Sequence, residues 1–171
     1  MHGRAMILTA IAVALLPGAA CAQERSAAVF DFELHDTSLA DPLKAPDAEH
    51  RSRMTQASER LRARLAESGR FKVVDIGPVI RESHASNLQA CGGCDVTFAE
   101  RVGADLSVTG TVYKVSNLIL NMMIFVRDAK TGNNVAVMQA EMRGDTDESW
   151  LRAVDWLVRN RLLVANTGAA R

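Results

Sequence analysis

Aromatic residues are scarce in this chain, 5% of 171 residues, with only four prolines and three cysteines. So few cysteines exclude a small domain framed by disulfides. So few prolines beside 48% hydrophobic residues exclude a low-complexity or collagen-like chain. Charge of one sign is missing too, since 20 Lys and Arg balance 20 Asp and Glu. Without a net field the molecule has no global attraction for a polyanion, so nucleic acid is not an expected partner. Chemical signatures are also wanting: there is no HExxH, no Ser-His-Asp arrangement and no paired-carboxylate pattern. Gly92-Gly93 lacks both the lysine of a phosphate loop and the spacing of a dinucleotide fingerprint. No cofactor is expected. What remains is one compact domain, which at this length buries about two-thirds of its unfolded surface and folds without a metal.

The amino terminus carries the compartment. Arg4, an apolar run over 5–16, Pro17-Gly18 and the small residues Ala20-Cys21-Ala22 read as a secretory signal peptide over 1–22. The uncharged stretch is at the short limit for spanning a bilayer and is broken by Pro17 and Gly18. Two modes of processing fit: cleavage after Ala22, and lipoprotein processing at Cys21, where Gly18-Ala19-Ala20-Cys21 has a lipobox's small residues but not its usual leucine. The mature chain, 23–171, is expected in the periplasm or secreted, with a lipid anchor at Cys21 as the alternative. No later segment is long and apolar enough to be a transmembrane helix.

The mature chain reads as one α/β domain with a mixed five-stranded sheet and helices packed on it. Residues 26–34 alternate as one strand, with Ala28, Phe30, Phe32 and Leu34 on one side. A Pro- and Asp-rich loop follows over 35–47. Met54, Ala57, Ser58, Leu61 and Leu65 then mark a helix from about 49 to 68, stopped by Gly69. Residues 71–75 give a second strand and 79–90 a short helix behind Pro78. After Cys94, Asp95 is the expected cap of another helix ending at Gly103. Residues 106–115 and 118–128 form two strands around Ser116-Asn117. The second is apolar on both faces, which predicts a central strand covered on both sides. Residues 135–143 alternate as a half-exposed strand, and Asp145 opens a helix over 146–165.

The succession Ala28-Val29-Phe30-Asp31-Phe32-Glu33, Leu65 to Asp75, Val102-Gly103-Ala104-Asp105, Gly110-Thr111-Val112 and Arg127 to Gly132 resembles envelope α/β domains. Among these are the amino-terminal domain of the Tol-Pal translocation protein and the globular domain of the curli-secretion lipoprotein family. Gln89-Ala90-Cys91-Gly92-Gly93-Cys94 and Gly144 to Trp150 are similar to marks of a family of secreted proteobacterial proteins of unknown function. The resemblance implies a fold over about 26–163, and the family has no assigned activity to carry over. The β-propeller of the Tol protein and the amphipathic hairpins of the curli pore are both missing from this sequence.

Four groups of residues are candidate sites. Cys91 and Cys94, left as a pair once Cys21 is removed, are expected to form a local disulfide in an oxidising compartment. A redox couple, with Cys91 at a helix amino terminus, is the alternative. A zinc site needs two further ligands and has no second cysteine pair. Asp31, Glu33 and His35, with Asp36, stand at the end of the first strand and are a weak small-ligand or metal site. Arg53, Arg60 and Arg64 share one flank of the first long helix, which makes them either a grip for an anionic partner or a solvated face. Trp156 and Leu163 project away from the core-facing stripe of the last helix. They are either covered by the 35–47 loop or exposed as a partner or dimer surface.

The function expected from these features is non-enzymatic: a periplasmic accessory or binding protein of the bacterial cell envelope, acting through an envelope protein partner or as a homodimer. Redox or cofactor-dependent dehydrogenase assistance through Cys91/Cys94, and ligand or metal binding near Asp31, are the alternatives.

Overall fold

The computed structural model describes residues 24–38 and 45–165, so the predicted signal peptide, Cys21 and part of the 35–47 loop lie outside the described residues. Six strands form one sheet: β1 (Arg25–Val29), β2 (Glu33–Asp36), β3 (Phe71–Val74), β4 (Leu106–Lys114), β5 (Ile119–Asp128) and β6 (Asn134–Arg143). Its order is β3-β1-β4-β5-β6, with β2 also paired to β4. β1 lies parallel to both β3 and β4, whereas β4-β5-β6 is an antiparallel meander. The mixed sheet anticipated from sequence is therefore present, with the first strand divided in two.

That division is a bulge with a cause. Val29 pairs with Val108 but Glu33 with Thr111, so three residues of the first strand span two of β4. The extra residue reverses the alternation. Phe30 joins the core on one face of the sheet, and Phe32 the core on the other. The sequence reading had put both on one side. The freed backbone groups are satisfied by α1 (Ala48–Glu67): the Phe32 N–H donates to Ser58 Oγ at 2.9 Å, and Arg62 donates to the Val29 carbonyl at 2.9 and 3.1 Å.

α1 forms because Asp47 caps its first turn, accepting from the His50 N–H at 2.8 Å, and because Ala57, Leu61 and Leu65 return to one buried face. Together with α4 (Asp147–Leu157) it covers one side of the sheet. There Val108, Val112, Leu120, Met122, Ile124 and Trp150 pack into the main core. The other side carries a smaller layer, α2 (Ile80–His84) and α3 (Cys94–Arg101), over Ala28, Phe30 and Ala104.

Because that layer covers only part of the sheet, the expectation for 118–128 is corrected. β5 buries Leu120, Met122, Ile124 and Val126, but Ile119 is 62% exposed and Asn121, Met123 and Phe125 are half-buried. The strand enclosed on both faces is β4, whose second face is Ser107, Thr109 and Thr111. Helix boundaries shift as well. The predicted 79–90 helix is a 3₁₀ turn at Gly77–Val79 followed by the five-residue α2. α3 is capped by Gly93 at φ 107°, not by Asp95. That side chain is buried and accepts from Ser107 Oγ at 2.8 Å and Arg127 Nη1 at 2.7 Å.

Candidate functional site

α4 opens with a reciprocal capping box. Thr146 accepts from the Ser149 N–H and Ser149 accepts from the Thr146 N–H, each at 3.2 Å. Trp150, Val154 and Leu157 face the core. The helix then widens into a π-turn at Val158–Leu162, where the Leu163 N–H bonds the Val158 carbonyl. Such turns recur at functional sites because they re-aim side chains. Here the turn brings Arg161 over the Trp156 ring, 5.3 Å from its centroid. Trp156 is 40% exposed.

Trp156 does not share its surroundings with Leu163, correcting the pairing expected from their spacing. Leu163 is half-buried against the main core, and its carbonyl accepts from Arg70. Trp156 instead lies in a groove of about 680 Å³ between α4 and the edge strand β6. Residues 139–143 of β6 form one wall, and Arg152, Ala153, Trp156 and Arg159 the other.

The arginine stripe is corrected too. Arg53 donates to Asp147 at 2.9 Å and to Asp145 at 3.3 Å, while Arg64 donates to Asp155 at 2.7 Å and Arg60 stands 3.5 Å from it. These three side chains clip α1 to α4 and are not a free anion-binding face. Hydrogen bonds from Arg64 hold the Asp155 carboxyl below the usual range, so this acid of the groove wall is already neutralised. Arg143 and Arg159 remain as cationic rim, with Arg152 held only by the exposed Glu148.

The end of the first strand does not assemble as one ligand set. Asp31 pairs with Arg62 and, at 2.6 Å, with His84 Nε2. Although burial pushes its carboxyl up, these partners hold it lower than usual. Glu33 and His35 lie past the bulge. Glu33 Oε1 accepts the Leu88 N–H at 2.7 Å, and the His35 ring stacks on Tyr113 with centroids 5.2 Å apart. Among the described residues no group of three or more His, Cys, Asp or Glu is placed to hold a metal.

Glu33 Oε2 is buried without a partner, as is Thr111 Oγ1 opposite it on β4, and burial raises the Glu33 carboxyl. An acid with a raised folded value loses stability as pH rises through it. Glu33→Gln is accordingly expected to be neutral or stabilising by up to about 1 kcal/mol at pH 7 and to have no benefit at pH 4, read by urea unfolding. A loss at pH 7 above about 1 kcal/mol would show that the carboxylate is needed.

The Cys91 and Cys94 sulfurs lie at bonding distance across a Cα separation of 5.7 Å, with Gly92 and Gly93 at positive φ making the turn. The segment just before the closed loop supplies the Leu88 N–H to Glu33 and the Gln89 amide to Thr109.

Sequence reasoning missed a buried cluster. Lys114 lies 3.0 Å from Asp145 and 3.4 Å from Asp36, His50 Nε2 lies 2.8 Å from Asp145, and Trp150 Nε1 donates to Asp145 at 3.0 Å. Asp145 and Trp150 fall within the Gly144 to Trp150 stretch, but Asp36, His50 and Lys114 are far from it in the chain and share no motif with it. Only the tertiary fold assembles them.

Fold and groove together define a single-sheet α/β domain with one side of the sheet fully layered and an open edge beside an exposed tryptophan. The same fold occurs in the lipoprotein GNA1162 from Neisseria meningitidis, at TM-score 0.53 and 14% identity over 83% of this chain and 99% of that one. It also occurs in the LpoB C-terminal domain from Escherichia coli, at TM-score 0.50 and 15% identity over 71% and 84%. TolB from Acinetobacter baumannii is a looser match, at TM-score 0.42 and 12% identity over 80% of this chain and 29% of that one. No curated sequence matches the chain. Residues 25–162 match the family model DUF3280, described as a protein of unknown function (DUF2380), and the chain belongs to that family.

Proposed function

We propose that this protein is a non-enzymatic accessory of the bacterial cell envelope that binds a protein partner through the β6–α4 groove. The observation that carries the reading is Trp156, a large apolar ring held in an open groove under Arg161 and ringed by further arginines. Tryptophan and arginine are the side chains that most often anchor protein interfaces. The ionisable clusters elsewhere are committed to one another: Asp31 to Arg62 and His84, Asp95 to Ser107 and Arg127, Asp145 to Lys114 and His50. That leaves little for chemistry on a substrate. No helix among the described residues is long and apolar enough to cross a membrane. The leader read at 1–22 supports a periplasmic location, and the mass of the mature amino terminus distinguishes simple cleavage from acylation at Cys21.

A photoreactive phenylalanine analogue at position 156 is expected to crosslink a discrete partner in the native envelope. The same group at Lys72, exposed on β3 at the far edge of the sheet, is not. Trp156→Ala is expected to weaken the contact by about 2 kcal/mol, roughly 30-fold. Equal adducts at 156 and 72 would end the reading.

A further inference from the structure

An edge strand exposes a row of unpaired N–H and C=O groups, and proteins normally guard it with lysine, proline, bulges or a covering segment. β6 is such an edge, ten residues long. Its amino-terminal end is guarded: Val126 pairs with Ala136 but Arg127 with Asn134, which leaves Val135 as an extra residue in a bulge. Beyond the bulge β6 has neither proline nor lysine, and 136–140 carries no charge at all. The uncharged stretch runs into the groove wall at Gln139 and Ala140, and the wall continues through Glu141, Met142 and Arg143.

The groove has a matching chemistry. Its floor is Ala140, Met142, Ala153 and Trp156, and of its charged lining Arg143, Arg152, Arg159 and Arg161 outnumber Glu141 and Asp155, the latter already taken up by Arg60 and Arg64. Side chains of an added strand alternate between two faces. On one face they enter the apolar groove, and their neighbours meet the rim.

We propose that β6 receives an extended, acidic segment of a partner protein as an added strand, with its apolar side chains against Trp156 and its carboxylates on the arginine rim. Main-chain hydrogen bonds supply affinity in this mode, and the groove and arginines supply selectivity. The inference rests on the docking reading above and adds the conformation and charge of what docks.

The test uses the mature chain and an acetylated, amidated eight-residue peptide of alternating glutamate and valine, with its lysine–valine counterpart as control. The acidic peptide is expected to change Trp156 fluorescence, to slow amide exchange across 136–143, and to bind at least about tenfold more tightly than the basic one. An added strand bonds β6 along one edge only. N-methylation of the peptide along one edge should therefore abolish binding, and along the other edge leave it unchanged. Arg159→Glu should reverse the charge preference. Indifference to N-methylation, equal binding of both peptides, or a dimer whose β6 amides are already protected would each overturn the proposal. Where position 156 still crosslinks a partner but N-methylation has no effect, strand addition fails and the docking reading stands. Where position 156 crosslinks nothing, the docking reading fails first.

Discussion

Gly110→Ala is expected to lower the unfolding free energy by about 3 kcal/mol, the upper part of the range for overpacking a core. A Cβ at position 110 would lie 2.4 Å from Phe32 Cε1 and 2.5 Å from Cζ, far inside contact distance. The ring has little freedom to retreat, because Phe32 is 4% exposed and its N–H is tied to Ser58 on α1. Its position over β4 follows from the bulge, which turns Phe32 onto the α1–α4 side directly above Gly110. The glycine is needed for close approach, since its backbone is not at positive φ. Urea unfolding measures the cost. Combining Gly110→Ala with Phe32→Leu should cost clearly less than the two single changes added together, because the second relieves the clash made by the first. A single-variant cost within about 0.5 kcal/mol of zero would mean that the core opens to accept a methyl group and that the bulge is not rigid.

Much of the sheet was legible because local pattern and tertiary role agree there. β6 alternates in sequence and is half-buried in the fold, α1 carries a stripe that meets the sheet, and the Ser116-Asn117 connection joins β4 to β5 as expected. The central errors share one cause: alternation reports residue chemistry, not what lies above it. Ser107, Thr109 and Thr111 are polar residues of β4, yet they are buried, with Asp95 of α3 the partner of Ser107 and Gln89 the partner of Thr109. Ile119, Met123 and Phe125 read as a buried face, yet they flank the uncovered half of the sheet. A one-residue bulge has no composition of its own, so the divided first strand was invisible. The candidate site was legible only in Trp156. Leu163 was paired with it because helical spacing assumes 3.6 residues per turn, which the π-turn at Val158–Leu162 violates. The arginine stripe lay on one flank as predicted, but its partners Asp145, Asp147 and Asp155 come from the start and the last turn of α4, nearly a hundred residues away.

Asp145→Ala is expected to be the most destabilising polar substitution among the described residues, costing about 3–5 kcal/mol, the range for removing one member of a buried ion pair. Its carboxylate accepts from Lys114, Arg53 and the Trp150 indole and contacts His50 Nε2. Those contacts tie the end of β4 and the first turn of α1 to the start of α4. Removing the carboxylate leaves the ammonium of Lys114, 5% exposed, with Asp36 at 3.4 Å as its one remaining carboxylate within 4 Å and His50 Nε2 at 3.1 Å. Asp145→Asn keeps an acceptor for Trp150 but not the charge, so it should cost less than alanine while still exceeding about 1 kcal/mol. The pH dependence separates charge from packing. Burial pushes the Asp145 carboxyl up, but hydrogen bonds from His50, Lys114 and Trp150 outweigh it and hold the folded value below the ordinary one. Asp36 is shifted in the same sense, its hydrogen bonds from Ser38 and the charge of Lys114 outweighing burial. A depressed folded value gives stability that is complete above the unfolded value, about 3.9, and is lost as pH falls through the folded one. The gap between the native chain and Asp145→Asn should therefore be constant from about pH 5 to 8 and close below about pH 4. Urea midpoints across that range read it directly. A gap that persists undiminished at pH 3 would assign the loss to shape and hydrogen bonding instead of the charge of Asp145.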